Sequence, residues 1–198
     1  AVLSLNLPAQ PGYPFSLHMT VEYRLPTVGL SVTTTASNGG DAALPYGIGF
    51  HPWIATGGSA VDDCSLRLDA ATHVKVDDRL LPTGTAPVDA ATDFREPRSR
   101  RGVDLDDAWV DPVFDADGVT FAHLTGGDGA TVVIGADAAT RAWQVCTGDH
   151  VSGPGFPRQS VAIEPMSCIA DAFRTGDDLV ELEPGETHTL TWGARLIR

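Results

Sequence analysis

The feature that most constrains the fold is a strict alternation of apolar and polar side chains in two neighbouring segments. Every second residue of segment 15–25 is apolar, and the residues between are polar or charged. Segment 30–36 repeats this alternation. A period of two places successive side chains on opposite faces of a strand. Because the turn-forming residues 26–29 separate the two segments, we expect an antiparallel pair of strands.

Other parts of the chain show the same kind of pattern. Further strands are predicted at residues 2–7, 45–54, 119–124, 131–134, 179–182 and 187–196. A glycine-rich turn separates 119–124 from 131–134, and Glu183-Pro184-Gly185-Glu186 separates the last two segments, so each pair is expected to form a hairpin. No segment sustains an apolar period of 3.6 residues, and the polar residues 93–107 are expected to form a long loop. We therefore predict an all-β protein, a large antiparallel β-sandwich with at most short helical turns.

Composition and charge exclude several classes of function. With 198 residues, of which 42% are hydrophobic, the chain can build a core, and we expect one domain over residues 1–198. Lysine and arginine total 13 against 26 acidic residues, which gives a formal charge of −13. This charge repels nucleic acids and anionic membranes. No apolar run approaches the roughly 20 residues that a membrane-spanning helix needs.

The cysteines indicate a reducing compartment. Cys64, Cys146 and Cys168 are odd in number and widely spaced, as expected of small buried residues rather than a disulfide framework. No signal peptide is visible, so we expect a cytoplasmic protein. The chain begins at Ala1, directly in an alternating run and without an initiator methionine. We therefore expect that residues precede Ala1 and that the domain is incomplete at its N-terminus.

Two short segments carry ionisable side chains where a strand normally excludes charge. His51 lies in Phe50-His51-Pro52-Trp53, and Glu164 lies in Ile163-Glu164-Pro165-Met166. Desolvating a carboxylate without partners is unfavourable, and proline beside it marks a strand end or edge. One histidine and one glutamate in such places are candidates for a general acid and a general base. A structural histidine and a satisfied buried glutamate are the alternatives.

A weaker signal follows the predicted loop. In Leu105-Asp106-Asp107-Ala108-Trp109 a carboxylate lies beside an aromatic ring, a pairing that suits a sugar because it offers both hydroxyl and C–H groups. Solvated loop acids are the alternative. The remaining histidines have no ligand-like spacing with another histidine, cysteine or carboxylate, so we predict no metal and no cofactor. Trp143 and Trp192 are expected in the core.

Together these segments resemble the aldose 1-epimerase (galactose mutarotase) family. The resemblance runs from the first strand to the last. It rests on residues 11–15, 21–25, 49–52, 105–109, 143–149 and 162–168, in that order. The resemblance implies a galactose mutarotase-like supersandwich with the sugar in a cleft on one sheet. It also implies that His51 is the general acid and Glu164 the general base, and that Asp106 and Gln144 hydrogen-bond sugar hydroxyls.

The chain departs from the family pattern at identifiable positions. Trp53-Ile54 follows His51-Pro52 where the family often has Tyr-Phe, and Met166 follows Glu164-Pro165 where many members have glutamine. The N-terminal portion of the family, which normally supplies a second active-site histidine and an Arg/Asn sugar contact, does not occur in this sequence.

The implied function is interconversion of the α and β anomers of a free hexose. A carboxylate and an imidazolium on opposite sides of the C1–O5 unit suffice for ring opening and reclosure without a cofactor. Two alternatives stay open. One is a non-catalytic carbohydrate-binding or regulatory module on the same fold. The other is a hexose-6-phosphate 1-epimerase, for which Arg95, Arg98, Arg100 and Arg101 are the candidate phosphate ligands. The sequence does not indicate the oligomeric state or which hexose is the partner.

Overall fold

The computed structural model of the chain describes residues 1–151 and 158–198, and strands dominate these residues. Its helical elements are a 3₁₀ turn at Val61–Asp63 and the short helix α1 at Ala172–Thr175. The strands are β1 (Val2–Leu7), β2 (Leu17–Arg24), β3 (Leu30–Asn38), β4 (Leu44–Tyr46), β5 (Trp53–Ala55), β6 (Ser65–Leu68), β7 (Ala70–Val76), β8 (Pro82–Pro87), β9 (Arg98–Ser99), β10 (Asp106–Pro112), β11 (Thr120–Thr125), β12 (Thr131–Ala136), β13 (Ala142–Cys146), β14 (Ser160–Met166), β15 (Val180–Leu182) and β16 (Thr187–Ile197).

The strands form two large antiparallel sheets and one small one. The first large sheet has eight strands in the order β1-β2-β3-β16-β12-β11-β6-β9, and the second has six in the order β5-β14-β13-β10-β7-β8. β15 and β4 form a separate two-stranded sheet. None of the helices in the described residues is long and apolar enough to cross a membrane.

The main core lies between the inner faces of the two large sheets. The eight-stranded sheet contributes Val32, Ile134 and Trp192, and the six-stranded sheet contributes Trp143 and Ile163 to the same cluster of buried side chains. Alternation explains why these side chains lie in the core, because their neighbours along each strand point to the opposite face of the sheet. The predicted β-sandwich is therefore confirmed, and Trp143 and Trp192 lie in its core as expected.

Several local predictions are confirmed. The alternating segments 15–25 and 30–36 correspond to β2 and β3, which pair antiparallel from Leu17 with Asn38 to Arg24 with Ser31. The hairpin around the glycine-rich turn is β11–β12. Cys64 and Cys146 are buried, and all three cysteines are free.

Three local predictions are wrong. The segment 45–54 is not one strand, because β4 ends at Tyr46 and β5 begins only at Trp53. The segments 179–182 and 187–196 do form strands joined by a turn, but β15 pairs with β4, whereas β16 pairs with β3 and β12. The turn was identified correctly, but the strand partners depend on long-range contacts that a local pattern does not contain. The predicted loop 93–107 contains the short strand β9, which pairs with the edge of β6.

Candidate active site

A cleft of about 550 Å³ opens on the outer face of the six-stranded sheet and contains all four residues implicated by the sequence. Its polar wall consists of His51, Asp106, Gln144 and Glu164. Its apolar wall comes from the sheet and from the chain around α1, and includes Val74, Val76, Ala108, Met166, Ile169 and Phe173. A volume of this size is within the range of small-molecule sites in proteins.

Strand register places the polar residues in one row across the sheet. Gln144 lies directly opposite Glu164 in the β13–β14 pair, and Ala108 lies opposite Gln144 in the β10–β13 pair. Asp106 is two residues from Ala108, so it points to the same face. Their neighbours Trp143 and Ile163 point into the core and are fully buried. Alternation thus gives one face of these strands to the core and the other to the cleft.

His51 joins this row from the chain segment that runs beside β14 toward β5. Gly49 is paired with Met166 and Trp53 with Ala162, so His51, midway between them, lies opposite Glu164. A Cβ at position 49 would lie 3.0 Å from Cγ of Met166, so the methionine side chain would have to shift slightly to admit one. Glycine at this position leaves the chain close to β14 without that adjustment.

The two ionisable side chains are in direct contact. His51 Nε2 lies 3.1 Å from Glu164 Oε1. The two candidate groups were expected on opposite sides of the C1–O5 unit, but the structure puts them side by side on one wall of the cleft. The reason is that His51 lies in the segment just before β5 that runs beside β14, the strand that carries Glu164.

Burial changes the acidity of Glu164. Only 11% of its side chain is exposed. Desolvation, and to a smaller extent the negative charge of Asp106, raise the pKa of Glu164 from 4.5 to about 7. The carboxyl group can therefore exist in both protonation states near neutral pH, which is the requirement for a group that takes up and returns a proton.

Asp106 is held in place by its neighbour across the sheet. Gln144 Nε2 donates a hydrogen bond of 2.8 Å to Oδ1 of Asp106. The other carboxylate oxygen, Oδ2, lies 3.4 Å from Nε2 of His150. Asp106 and Gln144 thus present a fixed polar pair beside Glu164, with hydrogen-bonding capacity left for a polyhydroxylated ligand.

The aromatic neighbour of Asp106 takes no part in the cleft. Trp109 is 1% exposed and packs in the core, where its Nε1 donates to the carbonyl of Thr92 at 2.9 Å. Asp107 also points to the inner side and pairs with His73 at 2.8 Å. The suggested pairing of carboxylate and aromatic ring is therefore wrong, since residues 106 and 109 lie on opposite faces of β10.

The four arginines of segment 93–107 also lie away from the cleft lining. Arg95 pairs with Asp93 at 2.6 Å and Arg101 with Asp63 at 2.7 Å. Arg98 donates to the carbonyls of Ala91 and Asp93, and Arg100 is fully buried against the ring of Phe94. Among the described residues, the lining of the cleft includes neither lysine nor arginine.

Two residues that the sequence analysis did not select also reach this region. Cys146 lies opposite Asp106 in the β10–β13 pair, and His150 follows it on the turn after β13. Their only sequence signal is a spacing of four residues across a glycine turn, which many unrelated loops share.

Comparison with known proteins places this chain in a family. The sequence profile of the aldose 1-epimerase family matches residues 1–194. The chain belongs to the aldose 1-epimerase family. It is 33% identical over 191 residues to the uncharacterized protein YihR of Escherichia coli K12, with 95% of this chain and 58% of that protein covered. The chain thus spans less than two thirds of the length of this curated relative.

Solved structures agree on the fold. A GalM/aldose epimerase homologue from C. elegans superposes with a TM-score of 0.82 at 19% identity, covering 100% of this chain and 66% of that one. Galactose 1-epimerase from Lactobacillus acidophilus superposes with a TM-score of 0.81 at 20% identity, covering 99% of this chain and 62% of that one. The fold is therefore the galactose mutarotase-like sandwich expected from the sequence.

Proposed function

We propose that the chain carries the acid–base pair of a cofactor-independent aldose 1-epimerase that acts on a free hexose. The observation that supports this most directly is the contact between His51 and Glu164 in the cleft, together with a pKa of about 7 for Glu164. A site that only binds sugar has no need for a carboxyl group that is half protonated near neutral pH. A general base does.

Ring opening needs two proton transfers at neighbouring oxygens. Ionised Glu164 takes the proton of the C1 hydroxyl, while protonated His51 gives a proton to the ring oxygen O5. The C1–O5 bond breaks and the open-chain aldehyde forms. Both oxygens are bonded to C1, so an acid and a base that lie 3.1 Å apart on one wall can serve both atoms.

Ring closure reverses these transfers. After rotation about the C1–C2 bond, the O5 hydroxyl adds to the other face of the aldehyde. His51 recovers its proton from O5, and Glu164 returns its proton to O1. Each group ends in its starting state, so no metal, cofactor or external acid is consumed. Asp106 and Gln144 would hold the sugar hydroxyls so that C1 stays beside the pair.

The phosphate-processing alternative has little support. A hexose 6-phosphate requires cationic partners for its phosphate group, and the lining of the cleft in the described residues includes neither lysine nor arginine. The binding-module alternative accounts for Asp106 and Gln144 but leaves the proton-exchanging pair unexplained. A free hexose such as galactose or glucose is therefore the proposed substrate.

The experiment that tests the proposal is polarimetric. Fresh α-D-galactose or α-D-glucose is added, and mutarotation is followed above the spontaneous rate. Because the chain spans 58% of its curated relative, the full-length gene product is assayed beside the 198-residue chain. Acceleration by the full-length protein supports the proposal. Saturable sugar binding without acceleration would favour the binding module instead.

A further inference from the structure

Three side chains of different metal-binding chemistry meet where Asp106, a residue of the cleft lining, lies beside the end of β13. The ligand atoms of Asp106, Cys146 and His150 all lie within 4.8 Å of one another, and this is the one such group of three found in residues 1–151 and 158–198. The sequence predicted no metal because the histidines lack ligand-like spacing. The fold assembles this cluster from two strands and a turn.

Backbone geometry explains how the three residues meet. Asp106 and Cys146 are directly opposite each other in the antiparallel β10–β13 pair. Beyond Cys146 the chain turns back at Gly148, which has a φ of 72°, a conformation that favours glycine. The turn is closed by a 3.2 Å hydrogen bond from the amide of Val151 to the carbonyl of Gly148. His150 is therefore directed back toward β10, with Nε2 3.4 Å from Oδ2 of Asp106.

The surrounding contacts hold these groups in position. Gln144 donates to Oδ1 of Asp106, which leaves Oδ2 directed at His150. The turn is tied to β10 because the amide of Leu105 donates to the hydroxyl of Thr147 at 2.9 Å. On its far side, Arg158 contacts both carboxylate oxygens of Asp149, at 2.8 and 2.9 Å. Outer contacts of this kind orient metal ligands in proteins.

The chemistry of the three ligands indicates which cation would bind. A thiolate, an imidazole and a carboxylate suit Zn²⁺ and similar transition metals, whereas Mg²⁺ and Ca²⁺ prefer oxygen ligands. Zinc bonds are about 2.0–2.3 Å long, so ligand atoms on one zinc ion lie roughly 3–4 Å apart. The three ligand atoms lie within 4.8 Å of one another, so a small closure would bring them to this spacing. The His150 side chain is 58% exposed and already lies 3.4 Å from Asp106, so it has room to adjust.

Negative charge favours a cation at this position. Burial, and then the nearby carboxylates of Asp106, Glu164 and Asp104, raise the pKa of the Cys146 thiol, so these negative charges lie close to the cluster. The whole chain carries a formal charge of −13, which adds a general attraction for cations. A cation would also neutralise part of the repulsion among these carboxylates.

We infer that Asp106, Cys146 and His150 form a binding site for a thiophilic divalent cation such as Zn²⁺, and that the bound cation inhibits the site by taking Asp106 away from the sugar. Binding converts the Cys146 thiol to a thiolate and releases its proton to solvent. The fourth zinc position is left to water. The inhibitory part rests on the proposed function, whereas the binding part does not.

Calorimetric titration with Zn²⁺ of the untagged full-length protein, in buffer without thiol reductants, tests the binding part. Cys146→Ser and His150→Gln should each weaken binding by at least about tenfold. The matched controls are Cys168→Ser, which changes a cysteine of the cleft lining, and His18→Gln, which changes an exposed histidine of β2. Both controls should bind Zn²⁺ like the wild type. The inference would be overturned if Cys146→Ser and His150→Gln bound Zn²⁺ as tightly as the wild type. It would also be overturned if the two control variants lost as much Zn²⁺ affinity as the two site variants.

Cobalt provides a readout independent of activity and of variant stability. Wild-type protein with Co²⁺ should show thiolate-to-cobalt charge-transfer absorption, which Cys168→Ser should keep and Cys146→Ser should lose. Absence of this absorption in the wild type would overturn the site. For inhibition, each protein is compared with its own zinc-free mutarotation rate, and Cys146→Ser should tolerate at least about tenfold more Zn²⁺ than the wild type. Failure of mutarotation itself would leave the binding result standing.

Discussion

His51 Nε2 lies 3.1 Å from Oε1 of Glu164, yet 56% of the histidine side chain is exposed against 11% of the glutamate side chain. Glu164 therefore lies in surroundings that raise its proton affinity, whereas His51 is open to solvent. Under the proposed mechanism, the buried carboxyl group would act as the base and the exposed imidazole as the acid.

The first prediction concerns the base. Glu164→Gln should lower kcat by about 10²–10⁴-fold with KM little changed, because glutamine keeps the shape but cannot take the C1 hydroxyl proton. His51→Asn should act similarly, since protonation of O5 matters only as the ring opens. Polarimetry with α-D-galactose or α-D-glucose gives both constants. The control is Glu181→Gln, an exposed position on β15, which should keep wild-type rates. Wild-type activity in Glu164→Gln would refute the mechanism.

The second prediction concerns stability. The pKa of Glu164 is raised from 4.5 to about 7, so its proton is bound more tightly in the folded state. The stabilisation from this proton is fully present below pH 4.5 and is lost as the pH rises through about 7. Glu164→Gln has no proton to lose, so its stability relative to the wild type should increase as the pH rises from 4.5 to above 7. The increase should be at most roughly 3.5 kcal/mol, at about 1.4 kcal/mol for each of about 2.5 pKa units.

Urea unfolding of the two proteins across this pH range measures the effect. The difference in unfolding free energy between Glu164→Gln and the wild type should grow with pH and level off above about 7. Glu181→Gln again serves as the control and should show no such growth. A difference that shrinks as the pH rises would contradict the raised pKa.

The third prediction concerns the pH dependence of catalysis. Glu164 must be ionised to act as base, so kcat/KM of the wild type should rise with pH through a midpoint near 7. Asp106→Asn removes the charge that helps to raise the pKa of Glu164, while the asparagine oxygen can still accept from Gln144. Its midpoint should move to lower pH, whatever happens to the absolute rate. An unchanged or higher midpoint would show that Asp106 does not act on the base.

The fourth prediction concerns the substrate. Mutarotation of a free hexose should be accelerated more than that of the corresponding 6-phosphate, because the cleft lining in the described residues offers no lysine or arginine and the chain is acidic. Parallel polarimetric assays of glucose and glucose 6-phosphate compare kcat/KM directly. A higher kcat/KM for the 6-phosphate would favour the alternative function, a hexose-6-phosphate 1-epimerase. Raising the salt concentration should narrow the gap, since screening weakens the repulsion.

Part of the candidate site could be predicted from the sequence, because ionisable side chains are unusual in apolar strand segments. Glu164 is a carboxylate in an apolar strand, and desolvation makes such a residue costly unless it has a role or partners. His51 beside a proline at a strand end is a similar case. Gln144 is an ordinary polar residue, and only the family resemblance pointed to it. Asp106 was indicated by the resemblance and by its pairing with an aromatic ring, and the structure does not support that pairing.

What the sequence missed depends on contacts between distant strands. Trp109 follows Asp106 closely, yet their side chains diverge because one face of β10 belongs to the core. β15 pairs with β4 and not with β16, the strand that follows it in the sequence. His150 and Cys146 meet Asp106 only because β10 and β13 are paired. In each case the local periodicity predicted a strand, but it contains no information about which strand pairs with it.

By itself, the sequence determined that the chain is a β-sandwich, because a period of two along a strand needs no knowledge of the rest of the molecule. It also singled out His51 and Glu164 as ionisable side chains in apolar segments, since the cost of desolvation depends on residue type. Only the tertiary structure decided that His51 contacts Glu164, and that the pKa of Glu164 is raised to about 7. Those properties arise from strand register and from the surrounding low-dielectric wall, which long-range pairing alone creates.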